Sequence, residues 1–195
     1  MSKIAERSAN PADVESIEAI IAAAYDVISG PAGKKRDWKR ERSLFISGAR
    51  LIPTAKAVTN DQGQVSDSNN LAPQILDVDA YIARVEPYFA TIGFYEKEIA
   101  RRVEQFGQIA HVWSTYESRH DPNDAEPFMR GINSIQLFND GSRWWILSIY
   151  WQHESPQHAI PEGTFKVEAC GSAMLLLHPH RRPRMRVAIT LCPNT

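Results

Sequence analysis

Four β-forming segments between residues 93 and 154 constrain the fold of this chain more than any other feature. The segments at residues 96–106, 109–116, 132–138 and 144–151 contain many Val, Ile, Tyr, Phe and Trp residues, which are typical of strands. The last two segments flank Asn139-Asp140-Gly141, a strong signal for a tight hairpin. Helical patterns come before these segments, and helices followed by an antiparallel meander predict an α+β fold.

The first helix is marked by apolar residues that recur at helical spacing from Val14 to Ile28. Asn10 is a good cap, and Pro11 fits a first helical turn because its missing N–H has no partner there. Gly30 is a typical residue for the end of a helix. The sequence therefore predicts a helix that begins near residue 11 and ends near residue 29.

Two shorter helices and a strand are predicted before the meander. The first of these helices covers residues 37–45, and a strand at residues 49–52 is expected to end at Pro53. A third helix is predicted from about residue 77, with a kink or an early end at Pro87. Residues 60–70 are polar and predict a loop or a hairpin tip.

Length and composition indicate one ordinary globular domain. The chain has 195 residues, a hydrophobic fraction of 43% and a formal net charge of -1, and this charge argues against a dedicated nucleic-acid binder. We predict a domain at residues 10–160. Residues 161–195 contain several prolines and a basic cluster at 180–186, which predict an atypical extension that is either loosely packed or an added strand.

Localisation and cofactors are predicted from what the sequence does not contain. Cys170 and Cys192 are two lone thiols without metal spacing, and no apolar run is long enough to span a bilayer, so we expect a cytoplasmic protein without a membrane partner. His178 and His180 lack the further ligands of a zinc site. No glycine-rich phosphate loop is present. We therefore predict no metal and no cofactor.

Five segments together resemble the nuclear transport factor 2-like superfamily, also called the SnoaL-like or ketosteroid-isomerase-like group. They are AAYDVISGPAG, DWKRERSLFISGARLIP, GFYEKE, IAHVWSTYESR and RGINSIQLFNDGSRWWILSIYWQHE, and the match covers most of residues 10 to 155. The resemblance implies N-terminal helices packed on a curved antiparallel sheet, which form a cone with an internal pocket. It also implies a homodimer through the outer face of the sheet.

The resemblance also suggests three candidate catalytic residues: Tyr25, Asp26 and His111. Related isomerases use a helix-borne tyrosine to polarise a carbonyl, and related dehydratases use a Tyr-Asp pair and histidines on sheet strands. Tyr25 would donate to an oxyanion, while Asp26 or His111 would act as acid or base. The alternative is that Tyr25 packs in the core, Asp26 faces solvent and His111 is a structural residue, because adjacent helical residues point in different directions.

Candidate ligand-binding residues come from the aromatic and polar positions of the same segments. Period-two alternation places Asn133 on the opposite face of its strand from Arg130 and Gln136, so one set can orient a ligand in the pocket. Arg50 could pair with a ligand carboxylate or form a structural ion pair. Aromatic side chains supply cavity walls or a dimer core; they are Trp38, Phe45, Trp113 and Trp144.

Three functions remain as hypotheses from the sequence. The first is a protein that binds a small molecule in a hydrophobic pocket with a few polar groups. The second is a cofactor-free isomerase or dehydratase that acts on a hydrophobic carbonyl or hydroxyl compound. The third is a protein-interaction module that uses the sheet face and the basic tail. The fold alone does not choose among them.

Overall fold

The computed structural model describes residues 8–56, 71–161 and 164. The predicted loop at residues 60–70 lies outside the described residues, as do both cysteines and the basic cluster of the predicted extension. Within the described part, a short 3-10 turn precedes three helices and six strands. In chain order they are the turn Pro11–Asp13, α1 Ile17–Ile28, α2 Trp38–Leu44, β1 Phe45–Lys56, β2 Leu71–Pro73, α3 Val78–Thr91, β3 Tyr95–Phe106, β4 Ile109–Arg119, β5 Met129–Asn139 and β6 Trp144–His153.

Helix α1 begins later than the sequence predicted. Asn10 caps the 3-10 turn, where its side chain accepts a hydrogen bond from the Ala12 N–H. Ser16 caps α1 and accepts from the Ala19 N–H at 3.0 Å. Glu18 in the first helical turn is favourable beside the positive end of the helix dipole. A second good cap inside the apolar pattern therefore divides it into a turn and a helix.

The sheet has the strand order β2-β1-β6-β5-β4-β3 and is not closed. The predicted meander from β3 to β6 is antiparallel throughout. The sheet is nevertheless mixed, because β1 pairs with β6 in parallel, which the sequence did not predict. Strand β1 also continues through Pro53. The Pro53 carbonyl accepts from the Gln74 N–H at 3.0 Å, so the segment before α3 is held against β1 despite the missing proline N–H.

Pro87 does not end α3, which runs on to Thr91. Two buried residues, Ile82 and Phe89, lie on either side of the proline and anchor both halves of the helix in the core. Pro87 itself is exposed. No helix among the described residues is long and apolar enough to cross a membrane.

The two faces of the sheet have different environments. Alternate residues of β4 and β5, such as Val112, Tyr116 and Ile135, face the helices and are buried in the core. The opposite, outer face carries Trp113 on β4, and Tyr150 lies in the same row on β6. Both of these rings are exposed. The concave side against the helices is therefore the place for an internal site.

Candidate functional site

A cavity of about 190 Å³ lies between the concave face of the sheet and the helices. Side chains from all three helices and from β1 and β3 to β6 line it. A cavity of roughly 150 Å³ is enough to hold benzene, so this cavity fits about one ring with small substituents. Its apolar wall includes Leu51, Val85, Phe89, Phe94, Ile135 and Trp151.

Tyr25 lines this cavity, but its hydroxyl already has two partners. The Asn133 amide donates to the Tyr25 hydroxyl at 2.9 Å, and that hydroxyl lies 2.7 Å from the Ser114 Oγ. Ser114 donates its own proton to Glu98 at 2.5 Å, so Tyr25 must donate to Ser114. Burial raises the pKa of Tyr25 well above its ordinary value. In this arrangement the tyrosine proton is used inside the protein.

The other two candidate catalytic residues point away from the cavity. The Asp26 side chain is 68% exposed and pairs with Arg40 at 2.5 Å. His111 lies on the outer face of β4, where its Nε2 is 2.9 Å from the Ser134 Oγ. Tyr25, Asp26 and His111 therefore lie in three different environments, and the structure does not bring them together.

Of the predicted ligand-binding residues, Asn133 lines the cavity. Phe45 and Trp144 are buried in the hydrophobic core outside the cavity lining. Trp38 stacks on Phe89 and donates its indole N–H to Glu86 at 2.9 Å, so it supports the cavity wall from behind. These three aromatic side chains are core residues.

The remaining predicted ligand-binding residues are on the outside of the cone. Trp113 and Gln136 are exposed on the outer face. Arg130 pairs with Glu154 at 2.8 Å, and Arg50 donates to the carbonyls of Gly48 and Ala49. Asn133 and Gln136 lie on opposite faces of β5, as the sequence predicted. The face that carries Asn133 lines the cavity.

Glu41 is a cavity residue that the sequence interpretation missed. The second helix, α2, places it inward with 2% of its surface exposed, and its Oε2 has no hydrogen-bond partner. Burial raises the pKa of Glu41 to about 8, although Arg40 and Arg42 act in the opposite direction. Glu41 is therefore mostly protonated at neutral pH and is able to donate a hydrogen bond.

Glu96 on β3 is a second cavity carboxyl group that the sequence interpretation missed. Its Oε2 accepts a hydrogen bond from Ser118 at 2.8 Å. Burial raises the pKa of Glu96 to about 7, although the hydrogen bond from Ser118 acts in the opposite direction. Tyr81 on α3 lines the same cavity, and its pKa is raised well above the ordinary value by burial and by the nearby charges of Glu41 and Glu96. The three groups therefore converge on one cavity.

A Tyr116–His153 pair forms another polar part of the lining. The Tyr116 hydroxyl lies 2.8 Å from the His153 Nδ1. Burial lowers the pKa of His153 below its ordinary value of 6.5, so the imidazole is neutral at pH 7, and its tautomer decides whether Nδ1 accepts from or donates to the tyrosine hydroxyl. Tyr116 is 1% exposed. The pair connects the core of the sheet to one side of the cavity.

Gly131 leaves the space that the Tyr116 ring occupies. A Cβ at this position would lie 2.4 Å from the Tyr116 hydroxyl oxygen and 2.5 Å from the Gln152 carbonyl oxygen. Because the second contact is to backbone, we expect Gly131→Ala to lower the free energy of unfolding by about 2 kcal/mol. Urea unfolding would measure this. Gln136→Ala, on the exposed face of the same strand, is the control, and equal stabilities of the two variants would contradict the prediction.

No family model matches the sequence, and no curated protein matches it. Among solved structures, a protein of unknown function with a cystatin-like fold from Nostoc punctiforme is 10% identical, with a TM-score of 0.52 over 73% of this chain and 91% of that chain.

Two similar structures come from Novosphingobium aromaticivorans. A scytalone dehydratase-like protein is 13% identical, with a TM-score of 0.50 over 72% of this chain and 83% of that chain. The β subunit of a protein similar to aromatic-ring-hydroxylating dioxygenases is 12% identical, with a TM-score of 0.51 over 72% of this chain and 88% of that chain. Likenesses at these identities concern the fold alone.

Proposed function

We propose that this protein, whose fold is that of the nuclear transport factor 2-like superfamily, binds a small and mainly apolar molecule inside its cone. The observation that carries the proposal is a cavity of about 190 Å³ with apolar walls and a few convergent polar groups. Binding sites for small molecules commonly combine these two properties. A molecule with about one ring fits this volume.

A ligand retained from the expression host provides the first test. We expect native mass spectrometry of the purified full chain to show an added mass that is released on unfolding. Ala24 on α1 lines the cavity, whereas Ala22 on the same helix is exposed. Ala24→Leu should therefore abolish the added mass by filling the cavity, and Ala22→Leu should keep it. The same added mass on both variants would place the ligand elsewhere.

A second candidate function is cofactor-free proton transfer, as in an isomerase or a dehydratase. It is favoured by two carboxyl groups in one apolar cavity whose pKa values are about 8 for Glu41 and about 7 for Glu96. Glu41 would donate a hydrogen bond to a carbonyl oxygen, and ionised Glu96 would remove a proton from the adjacent carbon. Pairs of acids with separated pKa values are a common basis for such roles.

Deuterium exchange tests the second candidate without knowledge of the natural substrate. A cyclic ketone in D₂O should exchange its α protons faster with the protein than with buffer. The rate should rise with pH through about 7, where Glu96 ionises, and fall above about 8, where Glu41 does. Glu96→Gln should remove the catalysed exchange. Glu104→Gln, an exposed change on the same strand, should retain it, and equal loss in both variants would exclude the role of Glu96.

We also propose that a second copy of this chain covers the outer face of the sheet. Trp113, Ser134 and Tyr150 form one row across three strands, and the two rings are 38% and 45% exposed. Exposed aromatic surface of this kind is characteristic of interfaces. The row supports a homodimer of the type that the sequence resemblance implies.

Substitutions in the aromatic row should change the oligomeric state. Light scattering after size exclusion should give a dimer mass for the natural chain and a monomer mass for Trp113→Asp, because a buried carboxylate would face an apolar partner surface. Phe106→Asp, at an exposed end of β3 outside this row, should remain a dimer. A natural chain that is monomeric at all concentrations would contradict the proposal.

A further inference from the structure

The cavity contains two carboxyl groups and no basic side chain. Glu41 and Glu96 line it, whereas neither lysine nor arginine is among its lining residues. His153 is the remaining lining group that can carry a positive charge, and its lowered pKa keeps it neutral at pH 7. At neutral pH the described cavity lining is therefore neutral to negative.

Nearby guanidinium groups are turned toward other partners. Arg40, beside Glu41 in the sequence, pairs with Asp13 at 2.8 Å and with Asp26 at 2.5 Å. Arg42, on the other side, pairs with Asp79 at 2.6 Å.

No described residue forms an ion pair with either cavity carboxyl group. The Oε2 of Glu41 has no hydrogen-bond partner, although only 2% of the surface of Glu41 is exposed. The Oε2 of Glu96 accepts one hydrogen bond, from the neutral Ser118 hydroxyl. Buried polar groups are nearly always partnered, so a bound group is the natural partner of Glu41.

Aromatic rings surround the same space. Tyr81 and Trp151 pack edge to face, with ring centroids 6.1 Å apart, and Phe89 packs on Phe94 at 5.0 Å. All four rings line the cavity. The faces of aromatic rings attract cations, and rings combined with carboxylates are suited to organic ammonium groups.

We propose that the ligand of this cavity is a small organic amine, bound as a cation, whose ammonium group pairs with Glu41 and Glu96. The inference depends on the proposed binding function and is independent of the proton-transfer candidate. An ammonium group carries up to three N–H donors, enough for both carboxylates and for one neutral acceptor such as the Tyr81 hydroxyl. The ring or alkyl part of the amine would contact the apolar wall.

The carboxyl groups favour a cation over a neutral carbonyl compound. Because the pKa of Glu96 is about 7, Glu96 is ionised in about half of the ligand-free molecules at neutral pH. A neutral ligand would displace water from this charge without compensating it, which is unfavourable. An amine would compensate it and would also favour ionisation of Glu41, so binding should release protons to the solvent. A carboxylate ligand would be repelled by both groups.

Three single-ring probes of similar size separate these cases. Isothermal titration calorimetry of the full chain near pH 7 would compare benzylamine, benzyl alcohol and benzoate. We expect benzylamine to bind at least about tenfold more tightly than benzyl alcohol, and benzoate not to bind. Titrations in two buffers of different ionisation enthalpy should detect proton release with benzylamine only.

Isosteric variants test whether the two carboxyl groups recognise the amine. Glu96→Gln and Glu41→Gln should each reduce the preference for benzylamine over benzyl alcohol, and Glu104→Gln should keep it. If one variant fails to fold, the other still gives the test. A preference that persists in both folded variants would overturn the inference. Equal or tighter binding of benzyl alcohol would overturn it while supporting the binding function, and no binding of any probe would overturn both.

Discussion

Raising the pH from about 5 to about 9 is expected to lower the free energy of unfolding of the ligand-free chain by several kcal/mol. The cause is the buried Glu41 carboxyl group, whose pKa is about 8 in the folded chain against an ordinary value of 4.5. The folded state therefore holds a proton that the unfolded state has lost. The stability from this group is complete below about pH 4.5 and is lost as the pH rises through about 8.

The size of this effect follows from the shift in the pKa of Glu41. One pKa unit corresponds to about 1.4 kcal/mol, so Glu41 should account for about 4 kcal/mol over this range. Glu96, with a pKa of about 7, acts in the same direction, but its contribution is smaller because its pKa is raised less than that of Glu41.

Three other groups whose pKa values are shifted do not reverse this dependence. The lowered pKa of His153 makes the folded state more stable as the pH rises toward 6.5. This increase opposes the decrease caused by Glu41 only below about pH 6.5. Asp140 and Glu117 also have lowered pKa values, chiefly from hydrogen bonds that outweigh the opposing effect of burial. Their stabilisation is lost only below the ordinary range of carboxyl groups. The decrease above pH 6.5 should therefore report the cavity carboxyl groups.

Urea unfolding at about pH 5, 7 and 9 measures this dependence. Glu41→Gln should flatten most of it, because the amide resembles the protonated acid and does not ionise. Glu104→Gln removes the same charge at an exposed position, so it should leave the pH dependence of the free energy of unfolding unchanged. If the free energy of unfolding depends on pH equally in the natural chain and in Glu41→Gln, the pKa of Glu41 is not raised in the folded state. Saturating benzylamine should restore stability at about pH 9 if the amine is the natural partner of the cavity.

Much of the fold was predictable because its signals are local. The hairpin turn Asn139-Asp140-Gly141 and the four β-forming segments correspond to β3–β6 of the sheet, within a few residues. The parallel pairing of β1 with β6 is different, since it joins residues such as Leu51 and Ile149 that are far apart in sequence. Local patterns carry no information on such a pairing. The same limit explains why Pro53, which a partner segment supports, was wrongly expected to end its strand.

The cavity residues were less predictable because a pattern gives faces without saying what covers them. Alternation separated Asn133 from Gln136, but it did not show which face of the sheet the helices cover. For Glu41 a usable signal was present. It lies three residues after Trp38 and three before Leu44, so helical spacing places it on the buried face of α2.

The second large effect concerns Arg36, which is 5% exposed and has no carboxylate partner among the described ion pairs. Its guanidinium group donates to four backbone carbonyls, at distances of 2.7 to 3.2 Å, and lies 5.0 Å from the centre of the Phe89 ring. The carbonyl acceptors belong to Ile28, Gly30, Pro31 and Lys34. Ile28 ends α1, so a cation there also complements the helix dipole.

Arg36 thus fixes the loop after α1 to the wall of the cavity. Gly30 in this loop exchanges two backbone hydrogen bonds with Phe94, at 2.7 and 3.0 Å, and both Phe89 and Phe94 line the cavity. If the guanidinium group is removed, buried carbonyls lose their donors, and each unsatisfied group costs about 1–3 kcal/mol. Some of these carbonyls will reach water, which lowers the total. We expect Arg36→Met to lower the free energy of unfolding by about 4 kcal/mol.

Arg36→Lys separates the charge of this residue from its geometry. Lysine keeps the positive charge but loses the planar set of donors, so its stability should fall between those of the natural chain and Arg36→Met. Arg102→Met, an exposed change on β3, controls for the loss of a positive charge and should alter the free energy of unfolding by less than about 0.5 kcal/mol. If Arg36→Lys is as stable as the natural chain, charge alone is sufficient and the four carbonyl contacts contribute little. If the geometry matters, the folded Arg36→Lys protein should also bind benzyl alcohol more weakly, because Phe89 loses the group that holds it in the cavity wall.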